Sequence, residues 1–126
     1  MLYGDVSQLR RGDVVLIPFP FADGRGAKRR PAVLVTSDSL RGKDGHFVFV
    51  TSKTPPPHVP GITISAGTNE ARLMGLRFPP GVTACHILPS KIATLEVGIV
   101  QMTIGSTPSN IMSEIGSRLI ATLGVA

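Results

Sequence analysis

Two short stretches carry the residues best suited to chemistry. Arg29-Arg30 runs directly into Pro31, and Thr51-Ser52 closes an apolar run. The residue before a proline is pushed to an extended conformation, so the Arg30 side chain is aimed reproducibly. An always-charged, planar guanidinium with forked donors suits bidentate binding of a phosphate. If the runs holding these stretches are neighbouring strands, the Thr51 or Ser52 hydroxyl sits beside Arg30 and can hydrogen-bond the same phosphate. The spacing fits a structural role equally well, with Arg30 neutralising a nearby Asp and the hydroxyls capping a strand end.

Other chemistries find less support. His46, His58 and His86 are 12 and 28 residues apart, without the close ligand spacing of a zinc site, so no metal centre is expected. There is no Gly-x-x-x-x-Gly-Lys-Ser/Thr loop and no Gly-x-Gly-x-x-Gly, and Gly24-Arg25-Gly26 reads as a flexible loop fragment. No cofactor is expected. Cys85 and His86 are adjacent in a strand candidate, where neighbouring side chains point to opposite faces, so Cys85 reads as a small core residue. No Gly-x-Ser-x-Gly elbow is present.

The charge is unevenly placed. The 126 residues include 13 Lys/Arg and 8 Asp/Glu, a net charge of +5. Between Arg10 and Lys53 stand nine Lys/Arg and four acids, so the whole excess lies there and the remainder is neutral by count. Localised positive charge suits a polyanion, nucleic acid or an acidic protein segment, as well as a merely solvated basic loop. The length predicts one domain, residues 1–126. Hydrophobic content of 42% with 17% charged residues argues against disorder. One Cys forms no internal disulfide, and Met1 to Asp5 lacks the charged-then-apolar start of a signal peptide, so a reducing cytoplasm is expected. No apolar stretch approaches the ~20 residues of a membrane span.

The elements that must position the two stretches are read from pattern. Asp13 to Phe19, Pro31 to Thr36 and His46 to Thr51 read as strands, the second buried on both faces. The segment from Phe21 to Arg30 has two glycines, four cations and no periodicity, and reads as a basic loop. Pro55 to Pro60 reads as an extended surface connection. Gly61 to Ser65, Val82 to Leu88, Ile92 to Leu95 and Gly98 to Ile104 are further strand candidates, with a helical turn over Glu70 to Met74. Ile111, Ile115, Leu119 and Leu123 recur every four residues, with Thr107 as N-cap, Pro108 at the first helical position and Gly124 as the stop. Glu114 and Arg118 form an i,i+4 pair. The expected fold is α+β, mostly β: a small barrel with one C-terminal amphipathic helix.

At these residues the chain resembles the MazF/PemK toxins, the mRNA interferases of bacterial type II toxin-antitoxin systems. Arg11-Gly12-Asp13-Val14-Val15-Leu16-Ile17-Pro18-Phe19-Pro20-Phe21 is similar to the family's opening strand and loop. Arg30-Pro31-Ala32-Val33-Leu34-Val35 resembles its Arg-Pro-Ala strand, and Val50-Thr51-Ser52 its Thr-Ser strand end. Gly75-Leu76 resembles its Gly-Leu turn. Lys91-Ile92-Ala93-Thr94-Leu95, with Ile104-Gly105 after it, resembles its C-terminal region. Ala93 stands where Arg is often found.

The resemblance implies an SH3-like barrel of the CcdB/PemK type, a homodimer, and metal-independent, sequence-selective cleavage of single-stranded RNA to 2′,3′-cyclic phosphate and 5′-hydroxyl ends. It implies Arg30 and Thr51, with Ser52 adjacent, as catalytic residues. Arg30 would stabilise the charge of the pentacoordinate phosphorane and protonate the leaving oxygen, while Thr51 would fix the phosphate for in-line attack. Phe21, Arg25, Lys28, Arg29 and Lys53 would bind RNA, with Phe19 a further stacking candidate. Candidates for the general base are Asp23, Asp38, His46 and His58. The implied partner is a cognate acidic antitoxin whose disordered segment occupies the same basic surface. The alternatives are a catalytically silent barrel that binds nucleic acid or protein, and a gyrase-inhibiting toxin of the same fold.

Overall fold

The computed structural model describes residues 8–19, 28–40 and 42–125; for Phe19 and Lys28 it describes the backbone alone. Six strands form one antiparallel sheet: β1 (Asp13–Phe19), β2 (Lys28–Leu34), β3 (Asp44–Thr51), β4 (Ile62–Ser65), β5 (Ala84–Glu96) and β6 (Met102–Ser106). Their order across the sheet is β4-β5-β3-β2-β1-β6. Helix α1 (Asn69–Leu73) comes after β4, and α2 (Ser109–Leu123) closes the chain. The curled, mostly-β sheet with a C-terminal helix is the expected class.

The central strands are apolar on both faces because both are covered. Ala32, Val33 and Leu34 of β2 are fully buried, as are Phe47 and Val48 of β3. One core cluster sets Val14, Val33, Val48, Val50 and Ile87 against Ile111, Met112 and Ile115 of α2. A second, on the other face, holds Val15, Ile17, Ala32, Leu34, Phe47 and Phe49. The stripe expected on α2 is correct through Leu119, which packs against the first cluster, but Leu123 is exposed. Arg118 makes the expected pair with Glu114 at 3.0 Å and donates a second hydrogen bond to the Gly61 carbonyl at 3.3 Å.

Several boundaries differ from expectation for identifiable reasons. β2 begins at Lys28 and includes Arg29-Arg30, because it pairs with β1 through Pro18↔Arg29 and Phe19↔Lys28. The two strand candidates around Pro89 are one 13-residue strand, β5. Its pairing with β3 shifts between Phe49↔Leu88 and Val48↔Ile92, and the irregularity accommodates the proline that cannot donate to the ladder. The last strand candidate divides into a 3-10 turn, Val97–Ile99, and β6. Pro108, extended at ψ 153°, is the N-cap of α2 in place of Thr107, and its carbonyl accepts the first helical bond from the Met112 N–H. The Thr107 side chain is buried and its hydroxyl makes no cap. Pro55 to Pro60 is broken by a turn closed from the Val59 N–H to the Pro56 carbonyl. Among the described residues no helix is long and apolar enough to cross a membrane.

Candidate active site

The sheet's registers place the candidate residues. β2 and β3 pair through Ala32↔Phe49, Val33↔Val48 and Leu34↔Phe47. Continuing that antiparallel register two residues sets Arg30 opposite Thr51. On the far side of β3, Thr51 pairs with His86 of β5, and His86 pairs in turn with Thr63 of β4. Residues opposite each other across antiparallel strands share a face, so Arg30, Thr51, His86 and Thr63 form one polar row across four strands. The row lies at the end of the sheet where β2 begins and β3 ends.

A cleft of about 290 Å³ opens at the same end, with Arg29, Arg30, Thr51, Ser52, Lys53 and Arg77 among its lining residues. Arg29, Ser52 and Lys53 are exposed, whereas Arg30 and Thr51 are half-buried. The Thr51 hydroxyl oxygen accepts a hydrogen bond from the Lys53 N–H at 3.1 Å, which orients the side chain and leaves its proton to donate to an anion. A larger, mainly apolar cavity of about 440 Å³ adjoins the cleft and shares Arg29, Pro31 and Arg77 with it.

Arg77 was not visible as a site residue in the sequence, and a helix stop brings it here. Helix α1 begins with the Thr68 hydroxyl accepting from the Ala71 N–H and ends at Gly75, left-handed at φ 68°. The Gly75 N–H bonds to the Arg72 carbonyl and the Leu76 N–H to the Ala71 carbonyl, the two bonds of a Schellman termination. Leu76 then packs on the core, and the chain turns Arg77 into the cleft wall. The Gly75-Leu76 turn was legible in the sequence, but the delivery of Arg77 to the cleft was not.

His86 was weighed in the sequence as a metal ligand and beside Cys85. The strand separates them as alternation requires: Cys85 is buried in the first core cluster, and half-buried His86 stands in the polar row. His86 is outside the cleft lining, across Thr51 from Arg30. Its Nδ1 is 3.3 Å from Thr63 Oγ1. Burial pushes the Cys85 thiol above its ordinary value of 9.0, so it is a neutral thiol and a poor nucleophile at neutral pH.

The candidate bases do not converge on the row. His46 lies five residues before Thr51 on β3, roughly 17 Å away at about 3.3 Å per residue, with its N–H donating to Thr36 Oγ1. Asp38 accepts from the Arg11 N–H at 2.8 Å, beyond the opposite end of the sheet. His58 is exposed in the proline-rich connection. Asp23, Phe21 and Arg25 lie outside the described residues, as do the side chains of Phe19 and Lys28. Among the described residues no three His, Cys, Asp or Glu side chains cluster as a metal would require.

Comparison with known proteins adds to this geometry. Residues 10–123 match the family profile described as the PemK-like, MazF-like toxin of type II toxin-antitoxin systems. No curated protein matches the chain. Solved structures match along nearly its whole length. The MazE–MazF complex of Deinococcus radiodurans in crystal form III is 20% identical with a TM-score of 0.67, over 94% of this chain and 98% of that one. The Mycobacterium tuberculosis toxin MazF-mt6 is 11% identical with a TM-score of 0.67, over 90% and 98%. A mycobacterial endoribonuclease in complex with its cognate antitoxin is 19% identical with a TM-score of 0.60, over 94% and 95%. At these identities the likeness shows a common fold.

Proposed function

Because the chain belongs to the PemK-like, MazF-like toxin family of type II toxin-antitoxin systems, we propose that it is an endoribonuclease that cleaves single-stranded RNA at selected short sequences. The observation that carries the reading is a cleft lined by Arg30 and Thr51 together with Arg29, Lys53 and Arg77. Four cations among the cleft's lining residues suit a phosphodiester better than a neutral ligand. Solved structures of the same fold described as endoribonucleases support the reading.

In this mechanism the nucleophile belongs to the substrate. The 2′-oxygen attacks the adjacent phosphorus, a P–O2′ bond forms, the P–O5′ bond breaks, and the products carry 2′,3′-cyclic phosphate and 5′-hydroxyl ends. Arg30 balances the charge that grows on the phosphorane oxygens, and the Thr51 hydroxyl fixes one of them. Ser52 offers a second hydroxyl at the mouth of the cleft. Arg29, Lys53 and Arg77, with Lys28, Phe21 and Arg25 of the preceding segment, hold the flanking RNA. We place the whole activity in one domain, residues 1–126, working as a homodimer and blocked by an acidic antitoxin segment that uses the same cations. MazE–MazF complexes of this fold support that partner class.

Incubating purified protein with single-stranded RNAs covering all short sequences, in excess EDTA, tests the reading. Site-selective cleavage with cyclic-phosphate ends is expected, together with a loss of about 10²-fold or more in Arg30→Ala. RNA that binds but stays intact across the set makes the chain a binding module instead, and gyrase inhibition without RNA cleavage makes it a gyrase toxin.

A further inference from the structure

The apolar cavity that adjoins the cleft is built on a cross-strand row of its own. Leu16 of β1 pairs with Pro31 of β2 on one side and with Met102 of β6 on the other. Residues opposite each other on antiparallel strands share a face, so these three side chains form one apolar strip across the edge of the sheet. Met102 is 38% exposed, and Leu16 and Pro31 are half-buried. Ile104, two residues along β6, extends the strip and packs against the first core cluster. Arg29 and Arg77, both exposed, line this cavity and the cleft alike. A strand of RNA with a phosphate in the cleft therefore meets an apolar slot beside it, rimmed by two guanidinium groups.

Resting on the reading of the cleft as an RNA phosphodiester site, we infer that the cavity of about 440 Å³ is the subsite for a base flanking that phosphate, and that it selects guanine. A base in single-stranded RNA can leave the stack and offers an apolar face with a polar edge. The Leu16–Pro31–Met102 strip gives the face a surface to lie on. The edge decides which base is held. Among the described lining residues, Arg29 and Arg77 carry the only polar side chains, and a guanidinium donates hydrogen bonds and accepts none. Guanine presents two adjacent acceptors, O6 and N7, which match one guanidinium fork. Adenine and cytosine turn an exocyclic amino donor toward the same groups and find no side-chain acceptor. Arg77 reads the edge, because its turn is anchored by Leu76 in the core, and Arg29 supplies charge toward the phosphate. An acidic protein segment would satisfy the arginines but gain nothing from the apolar strip, whereas a base attached to a phosphodiester uses both.

The test uses short RNAs carrying each base in turn on either side of the cut, with wild type, Arg77→Lys and Lys53→Ala. Cleavage rates are measured, and so is binding of the same RNAs made uncleavable by a 2′-deoxy nucleotide at the scissile position. Wild type is expected to favour guanine at one of the two flanking positions by about tenfold or more. Arg77→Lys keeps the charge but removes the fork, and should bring the four bases within about threefold of one another at that position. Lys53→Ala, which lines the cleft and not the slot, should weaken all sequences alike and keep the preference. Inosine, which retains O6 and N7, should replace guanosine there, and 7-deazaguanosine, which lacks N7, should lose most of the advantage. Preference for another base, or for none, at both flanking positions overturns the subsite and leaves the slot to a side chain of a protein partner. A guanine preference that survives Arg77→Lys overturns the assignment of Arg77. If no RNA is cleaved while the uncleavable RNAs still show the guanine preference, the ribonuclease reading fails and the subsite stands.

Discussion

Cys85 shows how one side chain's surroundings decide its chemistry. It is 4% exposed, packed with Ile64 and Ile87, and burial raises its thiol above 9.0. A thiol that ionises later in the folded chain than in the unfolded one contributes stability below the unfolded value, and loses it as pH rises toward the folded value. The stability difference between wild type and Cys85→Ala, from denaturant unfolding at pH 8 to 10.5, is therefore expected to shrink as pH rises. A constant difference would mean that the thiol ionises alike in both states. Only part of the row is legible at this scale. Arg30 and Thr51 could be read because each sits in a locally constrained setting, before Pro31 and at a strand end. His86 and Arg77 carry no local mark, since nothing in chain order ties residue 86 to residue 51 or residue 77 to residue 30.

At the scale of elements, the junction between α1 and β6 governs the geometry of the cleft wall. A Cβ at Gly75 would collide with the Ile104 carbonyl, and a Cβ at Gly105 with the Met74 backbone. The two glycines let the helix stop and the edge strand touch backbone to backbone, and that contact fixes where Arg77 leaves the turn. Gly105→Ala is expected to destabilise the protein by about 3 kcal/mol, against little change for Gly98→Ala, where an added Cβ meets nothing within 4 Å. Thermal or denaturant unfolding of the pair checks this, and equal melting of the two variants would dismiss the tight approach. Element types were readable from periodicity, and β1 was placed to the residue. β5 was read as two strands because Pro89 resembles a strand end, and only pairing with β3 on both sides of the proline carries the strand through it.

Across the whole molecule, the antiparallel sheet divides a charge excess that is contiguous in sequence. Arg10 and Arg11 precede β1 and Lys43 precedes β3, so they lie at the opposite end of the sheet from the cleft, about seven residues or roughly 20 Å away. There Asp13 accepts from the Arg10 N–H and Lys43 pairs with Glu96 at 3.9 Å. The cleft end keeps Arg29, Arg30 and Lys53 and gains Arg77 from the half of the chain that is neutral by count. Removing Arg77 or Lys53 should weaken RNA binding and lower the slope of log affinity against log salt by roughly 0.7 each, while Lys43→Ala leaves both unchanged. Titrations at a series of salt concentrations check this, and equal effects from all three would mean that the net charge acts as a whole. The sequence by itself determined the strand and helix types, the glycine turn and the family, because these rest on periodicity, backbone constraint and ordered motifs along the chain. Only the tertiary structure decided which cations face the cleft and which histidine stands beside Thr51. Those are cross-strand neighbours, set by register and strand direction, and distance along the chain does not encode them.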